Sequence, residues 1–216
     1  MKKILSIVLA AVLCVSLIPS AFAAGNGSKS REDMTSFEVK AEKMSEGCFI
    51  RPVKENEEKE FKDLLKAAKE EIKTLSKSDD FAKYFGEIKE YEEEDGKDVA
   101  KAVKYEDLLE DVKPEDRNIY EFMPITAGGF KEGCGDVVTK MLFATPYEKD
   151  EDVVVMIGFI TEKDGERTIE WFAFDGEGKE LKNESTEAKG RVRVELNEET
   201  VLRIQKENAL LAIISD

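Results

Sequence analysis

The 216-residue chain contains no histidine, and this absence excludes several common catalytic and metal-binding chemistries. Ser-His-Asp and Cys-His nucleophilic sites need an imidazole as their general base. Most zinc sites use histidine or several clustered cysteines, whereas this chain has three cysteines in all. Acid–base chemistry is therefore left to carboxylates, lysines and tyrosines.

Long apolar runs are scarce, and the longest one belongs to a segment that is typical of a secretory signal. A pair of lysines precedes the apolar stretch over residues 4–18, which is followed by Pro19 and by the cleavage-type sequence Ala21-Phe22-Ala23. This order predicts a signal peptide over residues 1–23, with an uncleaved anchor as the alternative. We expect a secreted or cell-surface protein with no stable membrane span after cleavage, because the run is shorter than the roughly 20 residues that cross a bilayer.

Acidic residues outnumber basic ones, because the chain has 48 Asp and Glu but 33 Lys and Arg, which gives a net charge of −15. Loss of the two signal lysines changes this net charge to −17. Such a charge repels phosphate backbones and anionic membranes, so nucleic acid is not an expected partner. Cationic partners, metal ions and neutral glycans stay compatible with it. The simplest interpretation is that the charge keeps an exported protein soluble.

Two cysteines, Cys48 and Cys134, remain once the signal has been removed. An oxidising compartment would allow one disulfide between the N-terminal region and the later body of the chain. Free thiols are the alternative, because a disulfide needs Cα atoms within about 7 Å and sequence does not fix that distance.

The N-terminal half of the mature chain favours helices. Residues 24–36 are polar and glycine-rich and predict a flexible tether. Residues 37–113 are predicted as a helical region, although Phe37–Lys40 and Cys48–Ile50 each have the pattern of a short strand. Apolar residues at three- and four-residue steps predict three helices, which are Phe61–Leu75, Ser78–Tyr91 with Ser78 as its cap, and Asp98–Val112.

Residues 114–216 predict a β-rich domain, because the apolar period changes there from about 3.6 to 2. Asp164-Gly165 and Asp175–Gly178 have the composition of turns, and Asn197 is suited to cap a short helix that ends near Asn208. The predicted strands are Ile119–Ile125, Val137–Thr145, Val153–Thr161, Thr168–Asp175, Arg191–Leu196 and Leu210–Ser215. Helices followed by strands predict an α+β fold, with an N-terminal helical segment and a mainly antiparallel β-sheet or β-sandwich.

Candidate ligand sites are few. Glu170 beside Trp171 is the most site-like pair, because an aromatic ring can stack on a sugar next to a carboxylate. Trp171 and Phe172 are expected on opposite faces of their strand. The glycine-rich loop over residues 128–136 lacks a phosphate-binding pattern and predicts a tight connection between strands. The acidic clusters Glu148–Asp152 and Asp175–Glu177 do not match an EF-hand and predict solvated turns.

Several features together resemble a set of exported proteins of Gram-positive anaerobes. They are the Lys2-Lys3 signal, the stretch Tyr105–Leu109 before Pro114, the run Val153–Met156 with the following Asp164-Gly165 turn and Trp171, and the closing strand Leu210–Ser215. That resemblance implies a charged helical segment and a C-terminal immunoglobulin-like β-domain. It implies no catalytic residues, and the short helix before the last strand departs from the pattern.

The residues therefore favour an exported, non-enzymatic binding or structural module whose partner is an extracellular protein or a glycan. No catalytic, cofactor-binding or metal-ligating residue is assigned, and no cofactor is expected. The alternative is a carbohydrate-active hydrolase that uses paired carboxylates, since this chemistry needs no histidine.

Overall fold

The computed structural model describes residues 34–41, 43–44, 46–53, 78–108, 118–144, 151–163, 166–181 and 190–215. The signal peptide over residues 1–23, most of the tether and the helix predicted over residues 61–75 lie outside these ranges. The last three residues assigned to the tether belong to the first strand, which begins at Met34.

The described residues form mainly one antiparallel β-sheet with a few short helices. The strands are β1 Met34–Ala41, β2 Phe49–Pro52, β3 Ile88–Glu94, β4 Lys97–Val103, β5 Asn118–Gly128, β6 Val137–Phe143, β7 Glu151–Lys163, β8 Glu166–Glu180, β9 Gly190–Leu196 and β10 Ala209–Ser215. The α-helices are α1 Ser78–Phe85 and α2 Glu198–Lys206, and a 3-10 turn covers Tyr105–Asp107.

The sheet curls until its two ends meet. Its strand order is β1-β6-β9-β8-β7-β10-β5-β2, and β1 also contacts β2, so eight strands nearly close into a barrel. The β3–β4 hairpin lies off this path and joins β8 in parallel through Ile88 and Lys89, which pair with Trp171 and Phe172. One curled sheet therefore replaces the two separate layers of a sandwich.

The sequence explains why apolar side chains fill the inside of this curl. In β6 and β9 every second residue is buried, as expected for strands with one face in the core. The inner core is completed by Val201 and Ile204 of α2, which pack among the strand residues at 0% and 1% exposure. Asn197 caps α2, because its side chain accepts a hydrogen bond from the Thr200 backbone N–H.

A second apolar layer, the outer core, covers the other face of β7, β8 and β10. Phe85, Ile88, Tyr105 and Leu108 pack there against the sheet, with Trp171 among them. Apolar residues consequently fill both faces of β10, and all its residues are buried. This confirms the two-sided burial predicted for residues 209–214, and it confirms that Trp171 and Phe172 face opposite sides.

Three predictions about the elements are wrong. The helix that begins at Ser78 ends at Phe85, and Ile88 and Tyr91 belong to β3. The helix predicted over residues 98–112 is a strand up to Val103, followed by the 3-10 turn. The turn predicted over residues 175–178 lies inside β8, which continues to Glu180.

The strands predicted after residue 114 are confirmed as elements, as are both short strands near the N-terminus. Lys163 pairs with Glu166 across the predicted Asp164-Gly165 turn, whose own residues lie outside the described ranges. Within the described part of the chain, no helix has the length and apolar character needed to cross a membrane.

Candidate functional site

Glu170, the most site-like carboxylate in the sequence, holds together three elements of the fold. Its Oε1 lies 2.7 Å from Lys89 Nζ on β3, and its Oε2 lies 2.9 Å from a guanidinium nitrogen of Arg203 on α2. Burial opposes ionisation of Glu170, but the hydrogen bonds from Lys89 and Arg203 outweigh it and leave its pKa below the ordinary value. Glu170 is therefore an ionised structural group and is poorly suited to donate a proton.

Arg203 also stacks on the aromatic part of the inner core. Its guanidinium carbon lies 3.9 Å from the centre of the Phe159 ring and 5.2 Å from that of Phe172. A cation over an aromatic face is stabilised by the ring quadrupole. Arg203 also donates to Glu207, one helical turn further along.

Trp171 is a core residue with 1% exposure. Its ring meets the Phe85 ring edge-on at 5.0 Å, under the layer formed by α1 and β3. A ring so covered presents no face to a sugar. The structure thus places Glu170 and Trp171 together, but it gives both of them structural roles.

The glycine-rich loop connects β5 to β6, as predicted, and the start of α2 holds it in place. The Glu198 carboxylate accepts hydrogen bonds from the backbone N–H groups of Gly133 and Gly135 at 2.7 and 2.8 Å. These two bonds hold the pKa of Glu198 below its ordinary value. Gly133 and Gly135 have φ angles of 81° and 72°, which glycine adopts without strain.

A second contact ties the same loop to α2. The backbone N–H of Phe130 donates to the Gln205 side-chain oxygen at 3.0 Å, and the Gln205 amide donates back to the Phe130 carbonyl at 3.3 Å. The loop is therefore fixed at both ends of the helix.

Of the two predicted disulfide partners, one belongs to this loop and the other lies next to it. Cys134 is buried within it, and Cys48 precedes β2 in a half-buried position against the same inner core. The chain at Cys48 passes so close that a Cβ at Gly129 would lie 3.0 Å from the Cys48 Cα. Both cysteines are free thiols in the structure, so the disulfide stays a prediction.

An open groove of about 520 Å³ lies at one end of the β1, β6 and β9 surface, next to the fixed loop. Its lining residues are Lys40, Ala41, Gly135, Asp136, Val138, Arg193 and Glu195. Burial raises the pKa of Asp136, and the nearby charges of Asp98 and Glu195 raise it further. The groove therefore offers charges of both signs and one carboxyl group with an increased affinity for a proton.

Four cations continue from the groove along the outer face of β6, β9 and β8, and we call them the cation quartet. They are Lys140, Lys179, Arg191 and Arg193. Lys140 lies directly opposite Arg193, and Lys179 directly opposite Arg191. Like charges in opposed positions weaken a sheet, so this arrangement has a stability cost.

Within the described part of the chain the cation quartet forms one ion pair, although Glu38 lies opposite Lys140 and Glu177 lies opposite Arg193. Arg193 contacts Glu195 at 3.4 Å, and Lys140, Lys179 and Arg191 form no ion pair with described residues. The Nε of Arg191 is buried and has no hydrogen-bond partner. Sequence reasoning did not find this group, although the alternation of Arg191-Val192-Arg193 showed that both arginines share the outer face.

The acidic clusters give no metal site in the described structure. Residues 175–177 belong to β8, and most of the cluster over residues 148–152 lies outside the described ranges. In the ranges that the structure covers, no group of three or more Cys, Asp and Glu residues is placed to hold a metal ion. Comparisons with protein-family models, curated proteins and solved structures find no match to this chain.

Proposed function

We propose that the protein is an exported, non-enzymatic binding module whose ligand occupies the groove beside the β5–β6 loop. The groove carries this proposal, because it is open to solvent and has donors and acceptors on fixed elements. Lys40 and Arg193 supply donors, and Asp136 and Glu195 supply acceptors. Glu198 and Gln205 fix the loop wall, so little conformational freedom is lost when a ligand binds.

The export part of the proposal is supported by the charge, apolar run and small-residue site at the N-terminus. Expression in a secreting host followed by mass spectrometry of the released protein tests it. The proposal expects a mature chain that begins at Ala24. A full-length chain retained in the membrane fraction would favour the uncleaved anchor.

Binding is tested by filling the groove. Val138 lines it on β6, so Val138→Tyr should obstruct the ligand, whereas Val99→Tyr adds the same group on β4 at a residue that does not line the groove. Screening of the mature protein against extracellular proteins and glycans should give ligands that the Val99 variant retains and the Val138 variant loses. Equal binding by both variants would remove the groove from the proposal.

The groove also supports a second candidate function, a hydrolase with paired carboxylates. Asp136 and Glu195 line the same space, and the raised pKa of Asp136 is a property of general acids. No lining residue is aromatic among the described residues, so the groove lacks a stacking surface for a sugar. Release of reducing ends from a polysaccharide panel, with loss in Asp136→Asn, would establish the hydrolase and overturn the non-enzymatic proposal.

A further inference from the structure

A row of side chains across the outer face shows that the exposed cations form a narrow strip. Glu38 on β1 lies opposite Lys140, Lys140 opposite Arg193, Arg193 opposite Glu177, and Glu177 opposite Asp152 on β7. The positive part of the row is thus two strands wide, about 5 Å from strand to strand, with carboxylates on both sides. Arg191 and Lys179 extend it along the strands.

Because the strip is narrow, it favours a narrow anionic ligand over a wide anionic surface. A wide anionic surface, such as a membrane or a nucleic-acid duplex, would bring negative charge against Glu38, Glu177 and Asp152 at the same time. A single linear chain that follows the strip would meet its four cations and would cover fewer of the flanking carboxylates than a wide surface does. Screening confines these effects to about 8 Å at physiological salt, so the local charge pattern outweighs the net charge of −17 of the mature chain.

The groove limits which chemical groups the bound polymer can carry. It continues the strip through Arg193, and its Asp136 and Glu195 carboxylates can accept further hydrogen bonds from a ligand. A phosphate polymer without hydroxyl groups offers no hydrogen-bond donors to these carboxylates. Sugar hydroxyls donate to carboxylates, and the forked guanidinium groups of Arg191 and Arg193 suit planar carboxylate groups.

We propose that the cation quartet and the groove together bind a linear, carboxylate-bearing polysaccharide. This inference rests on the proposed binding function and names the class of its ligand. The two opposed cation pairs support it, because Lys140 lies opposite Arg193 and Lys179 lies opposite Arg191. Bound carboxylates would reduce the repulsion between these opposed cations.

The test is calorimetric titration of the full mature protein with polygalacturonate, at low and at high salt. The quartet variant Lys140→Gln/Arg193→Gln should bind about tenfold more weakly or worse, since each surface cation contributes roughly a factor of five. The matched variant Lys83→Gln/Lys104→Gln removes the same charge from exposed positions elsewhere and should bind like the unmodified protein. Affinity should decrease as salt increases.

Folding of each variant is checked through the fluorescence of Trp171, the single tryptophan. If the quartet variant does not fold, Lys179→Gln serves as a milder change and should still weaken binding severalfold. Equal losses in the quartet and matched variants would overturn the inference, because they would show a general charge effect.

Other polymers separate this inference from the broader binding proposal. Dextran tests a neutral glycan, polyphosphate a phosphate chain, and vesicles with phosphatidylglycerol an anionic membrane; each should bind far more weakly than polygalacturonate. Stronger binding of polyphosphate or vesicles would overturn the inference. Absence of polygalacturonate binding would also overturn the inference. The broader binding proposal would still hold if the protein bound a different ligand and the Val138→Tyr variant lost that binding.

Discussion

Glu170 illustrates how charged residues are used in this protein. Its carboxylate contacts Lys89 and Arg203, and Arg203 in turn lies on two aromatic rings of the inner core. Glu170 and Trp171 therefore have the residue types of a sugar-binding site, but the contacts of Glu170 connect elements of the fold. Exposures of 29% for Glu170 and 19% for Arg203 place this tie at the edge of the core.

Loss of the Glu170 charge should destabilise the fold. Glu170→Gln weakens two charge-assisted hydrogen bonds at a partly buried site, and we expect a loss of about 1–2 kcal/mol in the free energy of unfolding. Urea denaturation at pH 7 measures it. Glu92→Gln, at the exposed Lys101 pair of the β3–β4 hairpin, is the control and should change stability much less.

The same variant should have a distinct pH dependence. Because the folded-state pKa of Glu170 is lowered, its stabilising contribution is present above the unfolded pKa of about 4.3 and is lost as pH falls through the folded pKa. The difference between the unmodified protein and Glu170→Gln should therefore shrink below about pH 4. A difference that stays constant down to pH 3 would contradict the ion-pair role.

The two thiols should differ in reactivity. Burial raises the pKa of Cys134, and the charge of Glu198 raises it further, whereas Cys48 is half-buried. After reduction, folded protein at pH 7.5 should react with iodoacetamide faster at Cys48 than at Cys134, because the thiolate is the nucleophile. Peptide mass spectrometry measures both sites. Equal rates in folded and urea-unfolded protein would contradict the burial of Cys134.

At the scale of elements, strand alternation was the most reliable signal in the sequence. Residues 191–196 alternate strictly because one face of β9 is core and the other is solvent. The mistakes came where charged residues concealed a strand. Ile88 and Tyr91 are three residues apart, which fits a helix face, but β3 is a strand in which both of them pair with β4.

The sequence does contain a signal for the β3–β4 hairpin. Asp95-Gly96 connects β3 to β4, with φ angles of 51° and 74°. Two consecutive positive φ angles are typical of a two-residue hairpin turn, and Asp-Gly is a preferred sequence for it. The helices predicted over residues 78–91 and 98–112 placed Asp95-Gly96 in a connection between helices instead.

The opposite mistake was made at Gly176, where a glycine next to an aspartate was interpreted as a turn. The structure shows a close approach instead, because a Cβ at Gly176 would lie 2.8 Å from a Val153 methyl and 3.3 Å from the Arg193 carbonyl. Glycine permits β7, β8 and β9 to pack closely there. The sequence pattern alone does not separate these two uses of glycine.

The candidate site could be predicted only in part, because it depends on register between strands. The alternation in β9 places Arg191 and Arg193 on the outer face, but Lys140 and Lys179 become their neighbours only through pairing with β6 and β8. Pairing partners distant in sequence are set by the whole sheet. The groove also needs the β5–β6 loop, whose position depends on Glu198.

The side chain of Asn197, which caps α2, should contribute measurably to the stability of the fold. Asn197 accepts from the Thr200 N–H and donates to Asp98 on β4 at 3.0 Å. Asn197→Ala removes both bonds, and we expect a loss of about 1–2 kcal/mol in the free energy of unfolding. Thermal and urea denaturation measure it.

The matched control is Asn208→Ala, which removes the same side chain at an exposed position just after α2. Its stability should stay close to that of the unmodified protein. An equal effect of both substitutions would show that the cap and the Asp98 contact contribute nothing beyond the loss of an amide.

At the scale of the whole molecule, the described chain is organised by strands that have a core on each face. β7, β8 and β10 contribute alternate residues to the inner and the outer core, so neither core can be removed without exposing these strands. Residues 78–108, which fall in the predicted helical region, supply much of the outer core together with residues of β7, β8 and β10.

This sharing of strands predicts a single cooperative unfolding transition. Ile204 on α2 lies in the inner core, and Trp171 reports on the outer core. Ile204→Val should lower stability by about 1 kcal/mol and shift the urea midpoints of Trp171 fluorescence and far-UV circular dichroism together, because a two-state domain gives coincident transitions. Lys206→Ala, on the exposed side of α2, should shift neither. If only the dichroism midpoint moved, the two cores would unfold separately and β10 would not couple them.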